Sequence, residues 1–150
     1  DVTLPNIYLN TKKYTEEEVL DCITLGAGDW DKMSTEIVKA GSMSSLPPSG
    51  RFDLILSAET TYTIQAATAT ARLLATHLDP TNGIGLIATK RYYFGCGGGV
   101  EAFRNASQQQ QIIIKDRKYR LDIKNLEVYD NGGGNIRELL RVTLKEVSVT

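Results

Sequence analysis

The sequence contains little of what metal centres, disulfide frameworks and membrane spans require. Its 150 residues include one histidine, His77, and two isolated cysteines, Cys22 and Cys96. This scarcity argues against a metal site and a disulfide scaffold, and it favours a reducing compartment, which we expect to be the cytoplasm and the nucleus. No apolar run approaches the roughly 20 residues of a transmembrane helix, and the first residues lack the pattern of a signal peptide. We therefore expect no membrane association.

Charge of one sign is also lacking. The net charge is −1, and lysine and arginine are scattered along the chain, so no basic stripe predicts direct binding of nucleic acid. Apolar residues make up 41% and charged residues 23%, which is typical of a globular domain. Because His77 is the only histidine, a nucleophilic triad is not expected. We assign His77 no catalytic role and expect it to complement the dipole at a helix end.

What the sequence does contain is an alternation of apolar strand and helix patterns. This alternation predicts an α/β fold that ends in an antiparallel hairpin. Strands are expected at residues 22–25, 52–56, 84–89, 121–129 and 139–149, and helices at residues 31–39, 63–78 and 100–111.

Two of these segments carry more specific expectations. The nearly continuous apolar run at residues 52–56, interrupted only by Asp53, indicates burial on both faces, as in a parallel sheet. The long helix presents one apolar stripe, formed by Ile64, Ala67, Ala71, Leu74 and Leu78. The turn at residues 79–83 should end that helix, with Asn-Gly suited to positive φ.

Polar or aromatic residues follow three of the predicted strands. Gly28-Asp29-Trp30, Ser57-Ala58-Glu59 and Tyr92-Tyr93-Phe94-Gly95 each lie just beyond a strand, where open α/β sheets bind ligands. Structural alternatives exist for each group. Asp29 can cap the next helix with Trp30 packed at its start, Glu59 and Thr60 can cap the helix that follows them, and one of the two tyrosines can face the core.

The motifs ITLGAGDW, FDLILSAETTY, IGLIATK and YYFGCGGGV resemble histidine protein methyltransferases of the methyltransferase-like family. The E-x-x-Y step from Glu59 to Tyr62 occurs in several protein methyltransferases, whereas the YFG-x-GGGV loop that starts at Tyr93 is narrower. The resemblance implies a Rossmann-like (class I) S-adenosylmethionine-dependent methyltransferase fold, with a mostly parallel sheet in the order 3-2-1-4-5-7-6. We expect this chain to be its C-terminal portion, a single partial domain that lacks the first strands and the cofactor glycine loop. We expect such a fragment to fold poorly alone.

The resemblance also implies roles for named residues. S-adenosylmethionine would be contacted by Gly28, Asp29, Trp30, Ser57 and Ala58, with the Trp30 indole near the adenine. The protein substrate would be contacted by Glu59, Tyr62, Tyr93, Phe94 and Gly95. Glycines 97–99 would allow either a sharp turn or a close approach of substrate.

The implied reaction moves a methyl group from S-adenosylmethionine to a histidine ring nitrogen of a ribosomal protein. An imidazole has a reference pKa of about 6.5 and needs little help from a base. A lysine side chain, with a reference pKa of about 10.4, must first lose a proton. No catalytic residue is therefore nominated. Two alternatives stay open: a lysine-directed relative, and a non-catalytic binding or scaffold protein that has lost the cofactor loop.

Overall fold

A computed structural model describes residues 3–15, 17–18, 23, 26–40 and 49–147. The strand predicted at residues 22–25 lies outside the described residues, except for Ile23, which belongs to no helix or strand. The chain divides into two compact units, Asp1–Gly50 and Arg51–Thr150. The expectation of a single domain stays a prediction. No described helix is both long and apolar enough to cross a bilayer.

The first unit contains two described helices, α1 (Thr3–Asn10) and α2 (Trp30–Ala40). Helix α2 confirms the helix predicted at residues 31–39. It begins after Asp29, whose Oδ1 accepts hydrogen bonds from the backbone N–H groups of Asp31 and Lys32 at 3.1 and 3.3 Å. Asp29 therefore caps the helix, as the structural alternative predicted.

The second unit is a five-stranded sheet with two helices. Its elements are β1 (Leu54–Ala58), α3 (Ile64–His77), β2 (Ile84–Lys90), α4 (Val100–Gln108), β3 (Gln111–Ile114), β4 (Arg117–Tyr129) and β5 (Arg137–Glu146). The strand order is β1-β2-β5-β4-β3. Only β1 and β2 pair in parallel, and the other three pairings are antiparallel. The expectation of a mostly parallel sheet is therefore wrong for the described strands, because β3, β4 and β5 form a long antiparallel meander.

The core lies between the sheet and the two helices. Leu74 and Leu78 of the α3 region pack with Phe103 of α4 and with Ile87 and Leu140 of the sheet, all fully buried. Helix α3 begins after Thr63, whose hydroxyl accepts from the Ala66 N–H at 3.1 Å. Thr63 is thus the cap, and the alternative in which Glu59 and Thr60 cap this helix is wrong.

The predicted stripe of α3 is buried at four of its five positions. Ala67, Ala71, Leu74 and Leu78 are buried, whereas Ile64 is 59% exposed. Ile64 occupies the first position of the helix, beyond the part that faces the sheet. His77 lies in the last turn as predicted and is itself buried, with its ring 6.3 Å from that of Phe52.

Strand β1 is displaced and exposed relative to its prediction. It starts at Leu54, and the side chains of Leu54 and Leu56 are 54% and 69% exposed. Burial on both faces is therefore wrong for this strand, because the side chains on one of its faces are exposed, and the strand also forms an edge of the described sheet.

Two local predictions also need correction. The helix predicted at residues 100–111 ends at Gln108, and a strand begins at Gln111. In the turn at residues 79–83, neither Asn82 nor Gly83 has positive φ. Glycine is required at position 83 for a different reason: a Cβ there would lie 2.4 Å from the carbonyl oxygen of Asp79.

Candidate functional site

Strands β1 and β2 end side by side, and their ends position the polar groups of the candidate site. Ala58 is in register with Ala88, and the next residue, Glu59, donates its backbone N–H to the Ala88 carbonyl at 2.9 Å. Glu59 has φ of 56°, a left-handed conformation that is uncommon outside glycine. This bend takes the chain out of the strand and leaves the Glu59 carboxylate partly exposed beside β2.

A chain of hydroxyl groups connects this carboxylate to the interior. The Tyr93 hydroxyl donates to Oε2 of Glu59 at 2.8 Å and lies 3.2 Å from Oγ1 of Thr89. Thr89 Oγ1 is in turn 2.6 Å from Oγ1 of Thr61, and both threonines are fully buried. Because the Tyr93 proton points to Glu59, the Tyr93 oxygen accepts from Thr89, and Thr89 accepts from Thr61.

The surroundings of Tyr93 keep its hydroxyl protonated. Partial burial raises the pKa of Tyr93, and the Glu59 carboxylate raises it further, against the opposing effect of the Thr89 hydrogen bond. The ammonium group of Lys90 lies 5.4 Å from the centre of the Tyr93 ring. The other carboxylate oxygen of Glu59, Oε1, is 3.7 Å from Nε of Arg137. The Glu59 carboxylate is thus held between a hydrogen-bond donor and a cation, with further lone pairs free to accept.

The glycine-rich loop after β2 folds back onto the segment after β1. Gly99 donates its N–H to the Thr61 carbonyl at 2.8 Å. A Cβ on Gly98 would lie 2.2 Å from that same oxygen, and a Cβ on Gly99 would lie 2.3 Å from the Arg91 carbonyl oxygen. Close backbone contact within the protein therefore accounts for these two glycines, as the sharp-turn alternative predicted.

An ion pair between the half-buried Arg91 and the buried Glu138 supports the base of this loop. Nε of Arg91 lies 2.5 Å from Oε1 of Glu138, whose side chain is almost completely buried on β5. The hydrogen bond that Arg91 donates to the Glu138 carboxylate raises the pKa of the Arg91 guanidinium. Asn125 donates to the second Glu138 oxygen and accepts from Arg104 of α4. The network joins the loop, the hairpin and α4.

An open groove of about 600 Å³ adjoins the loop between α3 and α4. Tyr93, Phe94 and Gly95 line it at the loop, and Phe94 is 85% exposed. Tyr92 also lines the groove and is exposed, whereas Tyr93 turns towards Glu59 and is half-buried. Neither tyrosine belongs to the buried core, so the alternative in which one of them faces the core is wrong.

The structure brings together some of the predicted site residues. Glu59 and Tyr93 are in direct contact, Phe94 and Gly95 share the groove with Tyr93, and Tyr62 is half-exposed beside Gly98. Ser57 and Ala58 lie at the end of β1, where the Ser57 hydroxyl contacts that of Thr60.

The other predicted ligands lie in the first unit. Gly28, Asp29 and Trp30 surround the start of α2, and Trp30 is half-buried. Their role towards a cofactor stays a prediction. Among the described residues, no three histidine, cysteine or acidic side chains group as metal ligands would.

Five residues of the site were not predicted from the sequence: Thr61, Thr89, Arg91, Arg137 and Glu138. Thr61 offered no signal. Thr89 and Glu138 did offer a signal, because alternate residues of a strand lie on the same face. Thr89 lies on the same face of β2 as buried Ile87, and Glu138 on the same face of β5 as buried Leu140. A carboxylate at a buried parity position needs a partner, and Arg91 supplies it.

Comparison with known proteins points to one enzyme class. Residues of this chain align with the histidine protein methyltransferase 1 homolog of Dictyostelium discoideum at 28% identity over 97% of the chain. This chain is similar to histidine protein methyltransferases. The homologs from Bos taurus and Rattus norvegicus match at 25% and 26% identity, each over 88% of the chain. The chain spans 36 to 39% of the length of these relatives. No family model matches it.

Proposed function

We propose that this chain is part of a protein-histidine N-methyltransferase that uses S-adenosylmethionine. The observation that carries the proposal is the alignment of nearly the whole chain with proteins named histidine protein methyltransferase 1 homolog. The names of these relatives suggest that the chain belongs to a methyltransferase. The histidine acceptor, the ribosomal substrate and the location in cytoplasm and nucleus are parts of the proposal.

The sheet supports a Rossmann-like methyltransferase assignment. Its order β1-β2-β5-β4, with β5 antiparallel to both neighbours, is the order that the last four strands take in the sheet 3-2-1-4-5-7-6. Strand β3 is an addition to that pattern. On this assignment the ends of β1 and β2 lie at the ligand-binding edge of the sheet.

Several residues present surfaces that suit S-adenosylmethionine. Ala58 is exposed and Ser57 half-buried at the end of β1, so a ligand can reach both. In the first unit, the half-buried Trp30 offers an apolar ring that suits an adenine, and Gly28 nearby is exposed. The cofactor supplies an electrophilic methyl group, and the protein must orient the acceptor.

Glu59 and Tyr93 are the groups that we propose for orienting the acceptor. A carboxylate with free lone pairs can accept the N–H of a neutral imidazole and so leave the other ring nitrogen with an available lone pair. Tyr93 and Arg137 fix the orientation of that carboxylate. Alignment of reacting atoms contributes strongly to group transfer, so no strong base is required.

The test is calorimetric titration of S-adenosylhomocysteine into this chain and into the same chain extended by whatever coding sequence precedes Asp1. Binding that Trp30→Ala abolishes, together with transfer of labelled methyl groups to histidine in ribosomal protein, would support the proposal. Transfer to lysine would favour the lysine-directed alternative. Absence of both binding and transfer in either chain would favour a non-catalytic scaffold.

A further inference from the structure

The groove between α3 and α4 has two different walls. Glu101, Asn105 and Gln109 line one side at successive intervals of four residues, and all three are exposed. The opposite side presents Ile64 and Thr68 of α3. A polar wall on α4 therefore faces a wall on α3 that includes the exposed apolar side chain of Ile64.

The floor and one end of the groove complete its shape. The small side chains of Ala102 and Ala106 leave room between the helices, and the loop residues Tyr92 and Phe94 lie at one end with their rings exposed. Tyr93 also borders this end, and its hydroxyl contacts Glu59. The groove thus opens beside the candidate acceptor site.

The polar wall retains unused hydrogen-bonding capacity. Within the part of the chain that the structure describes, the side chains of Glu101, Asn105 and Gln109 form no hydrogen bond or ion pair. An amide side chain offers both donors and an acceptor, which match the backbone N–H and C=O of a peptide. Among the residues that the structure describes, no cation pairs with the Glu101 carboxylate; Arg91 also lines the groove, but its guanidinium pairs with Glu138.

The spacing of these side chains suits an extended peptide. Residues four apart on an α-helix are separated by about 6 Å along its axis, and alternate residues of a β-strand by about 6.6 Å. Glu101 and Asn105 lie on α4, and Gln109 follows its last residue in helical backbone. The three side chains can therefore contact three successive same-side positions of an extended chain. Aromatic rings beside a carboxylate also favour a cationic side chain, by cation–π attraction and by charge.

We infer that this groove binds an extended segment of the protein substrate that carries a lysine or arginine next to Glu101. The segment's backbone contacts the amides of Asn105 and Gln109, its apolar side chains pack against Ile64, and its basic side chain lies between Glu101 and Phe94. Residues that leave the groove past Tyr93 arrive at Glu59. This inference rests on the proposed function for the identity of the partner as substrate.

The experiment measures fluorescence anisotropy of a labelled short peptide in which valine and threonine alternate around one lysine and one histidine. A second peptide carries glutamate in place of the lysine. Both are titrated with the 150-residue chain and with its upstream-extended form, without cofactor. We expect the lysine peptide to bind more tightly than the glutamate peptide. Glu101→Lys should weaken binding of the lysine peptide about fivefold and strengthen binding of the glutamate peptide. Phe94→Ala should weaken binding of both peptides.

The matched control is Glu127→Lys, which reverses the charge of an exposed side chain on β4 that does not line the groove. It should leave both affinities unchanged. A specific swap of peptide preference cannot result from misfolding, which would weaken both peptides together. The inference is overturned if neither peptide binds, or if Glu101→Lys and Glu127→Lys act alike. If the peptides bind and methyl transfer is absent, the proposed function fails while the groove remains a peptide site. Transfer without peptide binding overturns the groove alone.

Discussion

The hydroxyl of Tyr93 donates to the carboxylate of Glu59 across 2.8 Å, although 34 residues separate them in the chain. The bond joins the loop after β2 to the bend after β1. Because Thr89 and Thr61 continue the hydrogen-bond chain into the core, the orientation of the Glu59 carboxylate depends on buried residues.

Removing the Tyr93 hydroxyl should loosen this arrangement. Tyr93→Phe deletes the donor to Glu59 and leaves the Thr89 hydroxyl one partner short, so we expect a loss of about 1 kcal/mol in the free energy of unfolding. Urea denaturation measures this loss. Tyr92→Phe is the control, since Tyr92 is 60% exposed, and an equal effect of the two substitutions would contradict the prediction.

Stability should depend on Tyr93 at alkaline pH. Burial raises the pKa of Tyr93, so the folded state holds this proton more tightly than the unfolded state does. The resulting stabilisation is complete below the pKa that Tyr93 has in the unfolded state, about 10. It disappears as the pH rises through the pKa of Tyr93 in the folded state. The difference in stability between wild type and Tyr93→Phe should therefore shrink above about pH 10. A constant difference would argue against a raised pKa.

Gly98 should not tolerate a side chain. Gly98→Ala places a Cβ 2.2 Å from the Thr61 carbonyl oxygen, so the loop must move, and we expect a loss of about 2 kcal/mol or more in stability. Gly95→Ala is the comparison: it has open space but φ of 77°, which costs about 1 kcal/mol. Thermal denaturation should rank the two variants in that order, and the reverse order would count against the described loop.

The buried carboxylate of Glu138 should matter more than an exposed one on the same strand. Glu138→Ala removes the partner of Arg91 and Asn125, and we expect it to lower the free energy of unfolding by about 2 kcal/mol. Glu146→Ala breaks only the exposed pair with Arg117 and should cost less than about 1 kcal/mol. Urea denaturation of both variants compares them directly. Equal losses would show that the Glu138 network contributes little.

The exposed edge strand should promote self-association. Leu54 and Leu56 present apolar side chains on β1, which pairs on one edge with β2, and exposed apolar edges favour intermolecular pairing. Leu56→Lys should raise the concentration at which light scattering detects aggregates. Leu126→Lys, on the half-exposed end of β4, serves as the control and should have a smaller effect.

Periodicity predicted the elements whose pattern is strong and local. Strand β2, helix α3 and the hairpin of β4 and β5 follow from apolar spacing and turn residues near their observed bounds. Strand β3 was missed because Gln109 and Gln110 continue a helical composition, although the β-branched run Ile112-Ile113-Ile114 favours a strand. The exposure of β1 was equally invisible, since an apolar run does not reveal whether a second neighbour is present.

The candidate site was predictable in composition but not in contacts. The position of Glu59 and Tyr93 beyond two strands indicated that both lie at one sheet edge. Their hydrogen bond depends on the left-handed bend at Glu59 and on the fold of the glycine-rich loop, neither of which a local pattern specifies. The hydroxyl chain through Thr61 depends on the same bend.

The left-handed backbone at Glu59 shows that the protein holds this carboxylate in place at a cost. A side chain in this conformation costs about 1 kcal/mol, which asparagine or glycine would relieve. Either substitution would also remove the carboxylate that accepts from Tyr93, and that hydrogen bond contributes a free energy of about the same size. Backbone strain and hydrogen bonding therefore nearly cancel at this position, so replacing Glu59 gains little stability and forfeits the group proposed to orient the acceptor.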